Sequence, residues 1–192
     1  MTVGVLALQG DVREHQRLLS ELGAEAPRVR TPEELAGVDG LVIPGGESTT
    51  MAKLAAVLDM LEPLQKAVAG GLPTYGSCAG MILLADRLVD APADQETIGG
   101  LHVTVRRNAF GRQVDSFEAP LDLAGQRRPF HAVFIRAPRF VTLGPTVEVL
   151  ARLDGEPVLV RQGMIMAGTF HPELTDDPRL HRQFLESVSS GG

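Results

Sequence analysis

The chain has one cysteine, Cys78, one tyrosine, Tyr75, and no tryptophan. A lone thiol cannot close an internal disulfide, so the expected compartment is the cytoplasm. Lysine is almost missing too: Lys53 and Lys66 are the two present, arginine carries the remaining positive charge, and the net charge is -6. Arg106, Arg107, Arg112, Arg127, Arg128, Arg136 and Arg139 crowd the middle of the chain. They do not form the dense basic face that a phosphate backbone requires, so nucleic acid is not an expected partner. No run approaches the ~18 apolar residues of a membrane span. Met1-Thr2-Val3-Gly4 puts no basic segment before its short apolar run, as a secretory leader would. There is no Gly-Lys-Ser/Thr and no Gly-x-Gly-x-x-Gly, which disfavours nucleotide binding. Without a cysteine pair, and with His15, His102, His131 and His181 at spacings unsuited to a metal, neither a zinc site nor a cofactor is expected.

What is present is ordinary for a globular protein. The 192 residues are 44% hydrophobic and 22% charged, enough for one full core. Val3 to Leu8 is a short, wholly apolar run of the kind found in strands buried on both faces of a parallel sheet. Val12, Leu18, Leu19 and Leu22 then recur at roughly helical spacing, with Gly23 as a stop. Strands follow at 26–30, 38–43 and 72–75. Helices are expected from Thr31-Pro32-Glu33-Glu34, across 49–69 with a break around Pro63, and across 79–85. This alternation predicts a parallel, doubly wound sheet. Strand candidates at 101–106, 132–135, 147–153, 157–161 and 164–170 come next, with turn signals at Asp154-Gly155 and Gln162-Gly163. They predict antiparallel strands added to one sheet edge. A helix from Pro178 to Val188 completes one domain over 1–188, and 189–192 read as a frayed tail.

Tyr75-Gly76-Ser77-Cys78-Ala79-Gly80 lies between a strand and a helix pattern. Small residues on both sides suit the sharp turn that lifts a nucleophile out of a sheet, here with sulfur in the usual place of serine oxygen. A helix start favours the thiolate. His171-Pro172-Glu173, far along the chain, offers a base and a carboxylate to orient it. In an α/β sheet, sites form at the carboxyl ends of strands, and three features fall there together: Cys78, His171-Pro172-Glu173 and the loop Pro44-Gly45-Gly46-Glu47-Ser48. Thiolate attack on a carbonyl produces an oxyanion. The N–H of Ala79 and that of a glycine in the Gly45-Gly46 loop, taken as Gly46, are the expected donors to it.

These motifs resemble the class I glutamine amidotransferases, and more closely the glutaminase subunits of pyridoxal 5'-phosphate synthase. The matching stretches are 5–15, 44–50, Arg107 to Glu118, 134–138 and 170–175, so the likeness runs over essentially the whole chain. It implies a single-domain, three-layer, flavodoxin-like fold. It also implies hydrolysis of L-glutamine to L-glutamate and ammonia through a thioester on Cys78, with His171 and Glu173 completing a triad. Glutamine would be held by Gly46, Glu47, Ser48, Arg107, Ile135 and Arg136; Glu47 and an arginine match the two charges of the free amino acid. The ammonia would pass to a ring-forming synthase subunit in a hetero-oligomeric complex. That partner is expected to complete the oxyanion hole, with the Gln9-Gly10 turn as a contact. Arg106 and Arg107 are not separable on physical grounds; the motif alone selects Arg107.

Overall fold

The computed structural model describes residues 1–107 and 116–190. The first half alternates as the periodicity predicts. β1 (Val3–Leu6), β2 (Arg28–Val29), β3 (Gly40–Ile43) and β4 (Thr74–Ser77) are joined by α1 (Val12–Glu21), α2 (Pro32–Ala36), α3 (Ser48–Val57) and α4 (Leu61–Ala69). Thr31 starts α2 with a capping box: its hydroxyl accepts from the Glu34 N–H, and the Glu34 carboxylate accepts from the Thr31 N–H. The break in the long helical stretch lies at Leu58-Asp59-Met60, ahead of Pro63 rather than around it. Proline is tolerated in a first turn, so Pro63 sits inside α4, while Asp59 at φ +53 makes the turn.

After α5 (Ala79–Leu84) come β5 (Ala85–Val89), β6 (Leu101–Arg106), β7 (Ser116–Leu121), β8 (Phe130–Ile135), β9 (Arg139–Leu143), β10 (Glu148–Leu153), β11 (Glu156–Gln162) and β12 (Ile165–Gly168). The main sheet has seven strands in the order β10-β11-β12-β4-β3-β1-β2. Its β12 to β2 part is parallel, and β11 and β10 add to it antiparallel; of the five strands expected to do so, β12 instead pairs parallel with β4 inside the sheet, and β6 and β8 join other sheets. Two smaller sheets, β5-β6-β9 and the β7-β8 hairpin, stand apart from it. The closing helix α6 runs Arg179–Ser190. Ser189 and Ser190, expected in the tail, continue it, their hydroxyls bonded to the carbonyls of Leu185 and Glu186.

Two apolar clusters sandwich the main sheet. One gathers Leu41, Ile43, Met51, Leu64, Met81 and Val105 under α3, α4, α5 and β6; the other gathers Val5, Leu19, Val42, Phe134, Phe170 and Phe184 under α1, α6 and the β7-β8 hairpin. The result is a three-layer α/β domain. Because the parallel strands all end on the same side, the loops after β1, β3, β4 and β12 meet there.

Candidate active site

Cys78 directly follows β4 with φ +47 and ψ -99, a conformation that non-glycine residues rarely hold. Its N–H donates to the Gly168 carbonyl at 2.8 Å, which ties the turn to β12. The flanking glycines are there because of close approach. A Cβ on Gly80 would stand 2.1 Å from the Ile43 carbonyl oxygen, and one on Gly76 would stand 2.7 Å from the Gly80 carbonyl carbon. Gly80→Ala must therefore push β3 and the turn apart. We expect a loss of about 1–3 kcal/mol, as for other overpacked sites, read as a lower urea midpoint, together with reduced turnover from the displaced sulfur.

His171, two residues past Thr169, is 5% exposed, and its N–H donates to the Val133 carbonyl of β8 at 2.8 Å. Its Nδ1 is 2.8 Å from Glu173 Oε1 and 3.4 Å from Asp11 Oδ2; Cys78 Sγ stands 4.0 Å from the Ile135 carbonyl oxygen, and His171 and Cys78 line one cleft. Burial alone would push the imidazole pKa down. The interactions with Asp11, Cys78 and Glu173, the Glu173 charge among them, outweigh that and raise it to about 12. Glu173 is fully buried, and burial favours its neutral form. The charge and hydrogen bonds of His15 and His171 reverse that preference and hold the carboxyl far below the usual carboxylate range. Imidazole and carboxylate are thus paired, in the cleft that Cys78 also lines.

The thiol opens into a cleft of about 300 Å³, within the size range of small-molecule sites. Gln9, Asp11, Gly46, Glu47, Ser48, Ile82, Arg107, Ile135 and Arg136 line it together with Cys78 and His171. A family model for the SNO glutamine amidotransferases matches residues 5–190.

The chain belongs to the SNO glutamine amidotransferase family.

Similar proteins agree. The chain is 61% identical over 191 residues to the pyridoxal 5'-phosphate synthase subunit PdxT of Frankia casuarinae, covering 99% of this chain and 96% of that protein. It is 59% identical to the PdxT of Mycobacteroides abscessus, covering 98% of each. A crystal structure of a glutamine amidotransferase, 55% identical, superposes with a TM-score of 0.92 over 97% of this chain and 98% of the other. A putative GMP synthase subunit from Thermoplasma acidophilum, 20% identical with a TM-score of 0.71 over 99% and 94% of the two chains, shares the fold.

Every glutamine-contact position expected in this family member lines the cleft. Arg106 points elsewhere, pairing with Asp90 at 2.9 Å, so the fold separates it from Arg107 where the sequence did not. Glu47 and Arg107 meet each other at 3.1 Å. Glu47 also caps α3, accepting from the N–H groups of Thr49 and Thr50 and from the Thr50 hydroxyl. Burial nudges its carboxyl up, but these donors win and hold it below its ordinary range. Gln95 escaped sequence reasoning. Its Oε1 accepts from Arg107 and the Thr49 hydroxyl, and its Nε2 donates to Ser48 Oγ. It lies in an irregular stretch with no motif around it. Of the specific segment Arg107 to Glu118, residues 108–115, Arg112 among them, lie outside the described residues.

Asp11, His171 and Glu173 are the one group of potential metal ligands among the described residues. The imidazole–carboxylate bond already uses His171 Nδ1 and Glu173 Oε1. No described helix is long and apolar enough to cross a membrane.

These shifts imply a shape for the dependence of stability on pH. His171 is raised from 6.5 to about 12, so its contribution is full below about pH 6.5 and is lost as pH climbs toward 12. Glu173 is lowered, so its contribution is full above the ordinary carboxylate range and is lost on acidification. His181 is lowered from 6.5 to about 3, chiefly by burial, so the fold also weakens as pH drops below about 6.5. Thermal melts across pH should peak near neutrality, and His171→Ala should flatten the alkaline limb. An unchanged alkaline limb in that variant would contradict the pairing.

Proposed function

We propose that this chain hydrolyses L-glutamine to L-glutamate and ammonia and delivers the ammonia to the ring-forming subunit of pyridoxal 5'-phosphate synthase. The observation that carries the reading is the buried His171–Glu173 pair in a cleft that Cys78 also lines, together with a carboxylate, Glu47, and a guanidinium, Arg107. The relatives named PdxT support the choice of acceptor.

The substrate's ammonium is matched by Glu47 and its carboxylate by Arg107, each partly released from the other as glutamine enters. Gly46, Ser48, Ile135 and Arg136 line the rest of the contact surface. The Cys78 thiolate adds to the side-chain amide carbon, and the carbonyl oxygen becomes an oxyanion facing the N–H groups of Gly46 and Ala79. His171 gives its proton to the departing nitrogen, and ammonia leaves as the C–N bond breaks. Water then attacks the thioester, His171 takes its proton, and glutamate departs with Cys78 returned to the thiolate. Glu173 keeps the imidazole in the orientation that serves both steps. No cofactor or metal enters this scheme, and the cytoplasm is its setting.

The synthase subunit acts on the oxyanion loop. Gln9 Oε1 accepts from the Glu47 N–H at 2.7 Å, and the Asp11 N–H donates to the Gly45 carbonyl at 3.1 Å. Gly10, at φ +103, has that carbonyl where a Cβ would go, at 1.8 Å. A partner that grips the Gln9-Gly10 turn therefore moves the glycine loop with it. Ammonia release by the purified chain should rise on adding the synthase subunit. Equal rates would remove the coupling, and no release under either condition would remove the function.

A further inference from the structure

The catalytic series does not end at Glu173. His15 of α1 is fully buried behind it. His15 Nε2 is 3.1 Å from Ser77 Oγ and 3.4 Å from Glu173 Oε2, and its Nδ1 is 2.8 Å from His181 Nε2 on α6. Ser77 Oγ in turn donates to Glu173 Oε1 at 3.5 Å. Three separate elements thus converge behind one carboxylate. Among the described residues Glu173 Oε2 has no well-aligned hydrogen bond, although it is buried, so the imidazole edge of His15 is what faces it. Leaving that oxygen against apolar groups would carry a heavy desolvation penalty.

We propose that His15 is a positioning residue for the glutaminase reaction, its Nε2–H holding the Ser77–Glu173 pair in the orientation that presents Oε1 to His171, with His181 fixing the His15 ring.

Hydrogen-bond logic sets the protons. Ser77 Oγ and an ionised Glu173 both need a donor from His15 Nε2, and Nε2 carries a proton in the cation and in one neutral tautomer. His181 is kept neutral by burial. When His15 is neutral its Nδ1 accepts, so His181 donates through Nε2. His181 Nδ1 then carries only a lone pair, which agrees with its having no partner. Tyr75 stands edge-on to both rings, at 6.3 Å from His15 and 6.1 Å from His181, and closes the pocket against water. The titratable groups facing His15 are Glu173, His181 and Tyr75, while Arg17 on α1 itself acts on His181.

The proposal rests on the triad assigned above, and its test does not depend on glutamine alone. In the full chain, His15→Phe keeps a buried ring and removes the donor, while His15→Gln keeps an N–H close to the Nε2 position. With the synthase present, His15→Phe should lower kcat about 10- to 100-fold, as removal of an outer hydrogen-bond partner does at metal-bound histidines. KM should change little, since no substrate contact is lost. A misplaced Glu173 supports the His171 cation less well. The pH midpoint for alkylation of Cys78 by iodoacetamide should therefore rise in His15→Phe and return toward the parent in His15→Gln. A merely structural role would lower the melting temperature without moving that midpoint. NMR of isotope-labelled histidine in the parent protein needs no variant: His15 should be protonated at Nε2. Parent-like kcat and alkylation in folded His15→Phe, equal losses in both variants, or a His15 protonated solely at Nδ1 would each overturn the proposal.

Discussion

Cys78→Ala is expected to cut glutamine hydrolysis by about a million-fold, the loss seen when a covalent nucleophile is deleted from an otherwise intact triad. The reaction divides one difficult amide hydrolysis into two steps at sulfur, and without sulfur neither exists. The fold should survive. Alanine also has a Cβ, so the φ of +47 at this turn is no harder for it than for cysteine, and the N–H to Gly168 is retained. The cleft contacts Glu47 and Arg107 are untouched, so glutamine should still bind by calorimetry and assembly with the synthase subunit should persist. Ammonia release at the parent rate, measured in a folded variant, would place the chemistry elsewhere.

Glu173→Gln should lower kcat by about ten-thousandfold, by the logic that applies when the acidic member of a catalytic triad becomes an amide. The swap preserves shape but removes a charge and converts one acceptor into a donor. Glu173 lies between two imidazoles, His171 at 2.8 Å and His15 at 3.4 Å. A glutamine has one oxygen for two N–H groups, and its NH2 must face one of them. Whichever ring it faces is driven to the other tautomer. If that ring is His171, Nδ1 must give up its proton to accept from the amide, and the ring is no longer the cation that supports the thiolate and protonates the leaving nitrogen. The melt profile should report the same change, with a shallower acid limb because the buried carboxylate that titrates there is gone. A variant with parent kcat would mean that His171 needs no orienting carboxylate.

The turn at Cys78 was legible because its demands are local. Glycines at 76 and 80 around a cysteine, between an apolar run and a helix pattern, admit few other structures, and the close approaches to Ile43 and to the turn's own backbone give the reason. The parallel strands were legible for the same kind of reason, as apolar runs cut by turn residues. The missed strands lack that punctuation. β5 begins at Ala85 directly after α5, with no turn residue between them. β7 carries Pro120, which argues against a strand unless it lies at an edge, and in a two-stranded hairpin both strands are edges. β9 follows Pro138 with little alternation. His15 was hidden differently: on a helix whose exposed side is charged, a histidine reads as one more polar residue, and only the packing of α1 against α6 makes it buried.

Order along the chain was enough to name the chemistry here. A strained turn, an imidazole and a carboxylate are properties of short segments, each dictated by backbone sterics and side-chain type. Which groups share space belongs to the fold. The main sheet sets β12 beside β4, so His171 and Cys78 reach one cleft; the end of β6, in the smaller three-stranded sheet, turns Arg106 toward Asp90 and Arg107 toward Glu47; and α1 and α6 seal His15, Ser77 and His181 behind Glu173, where exclusion of water gives those contacts their strength.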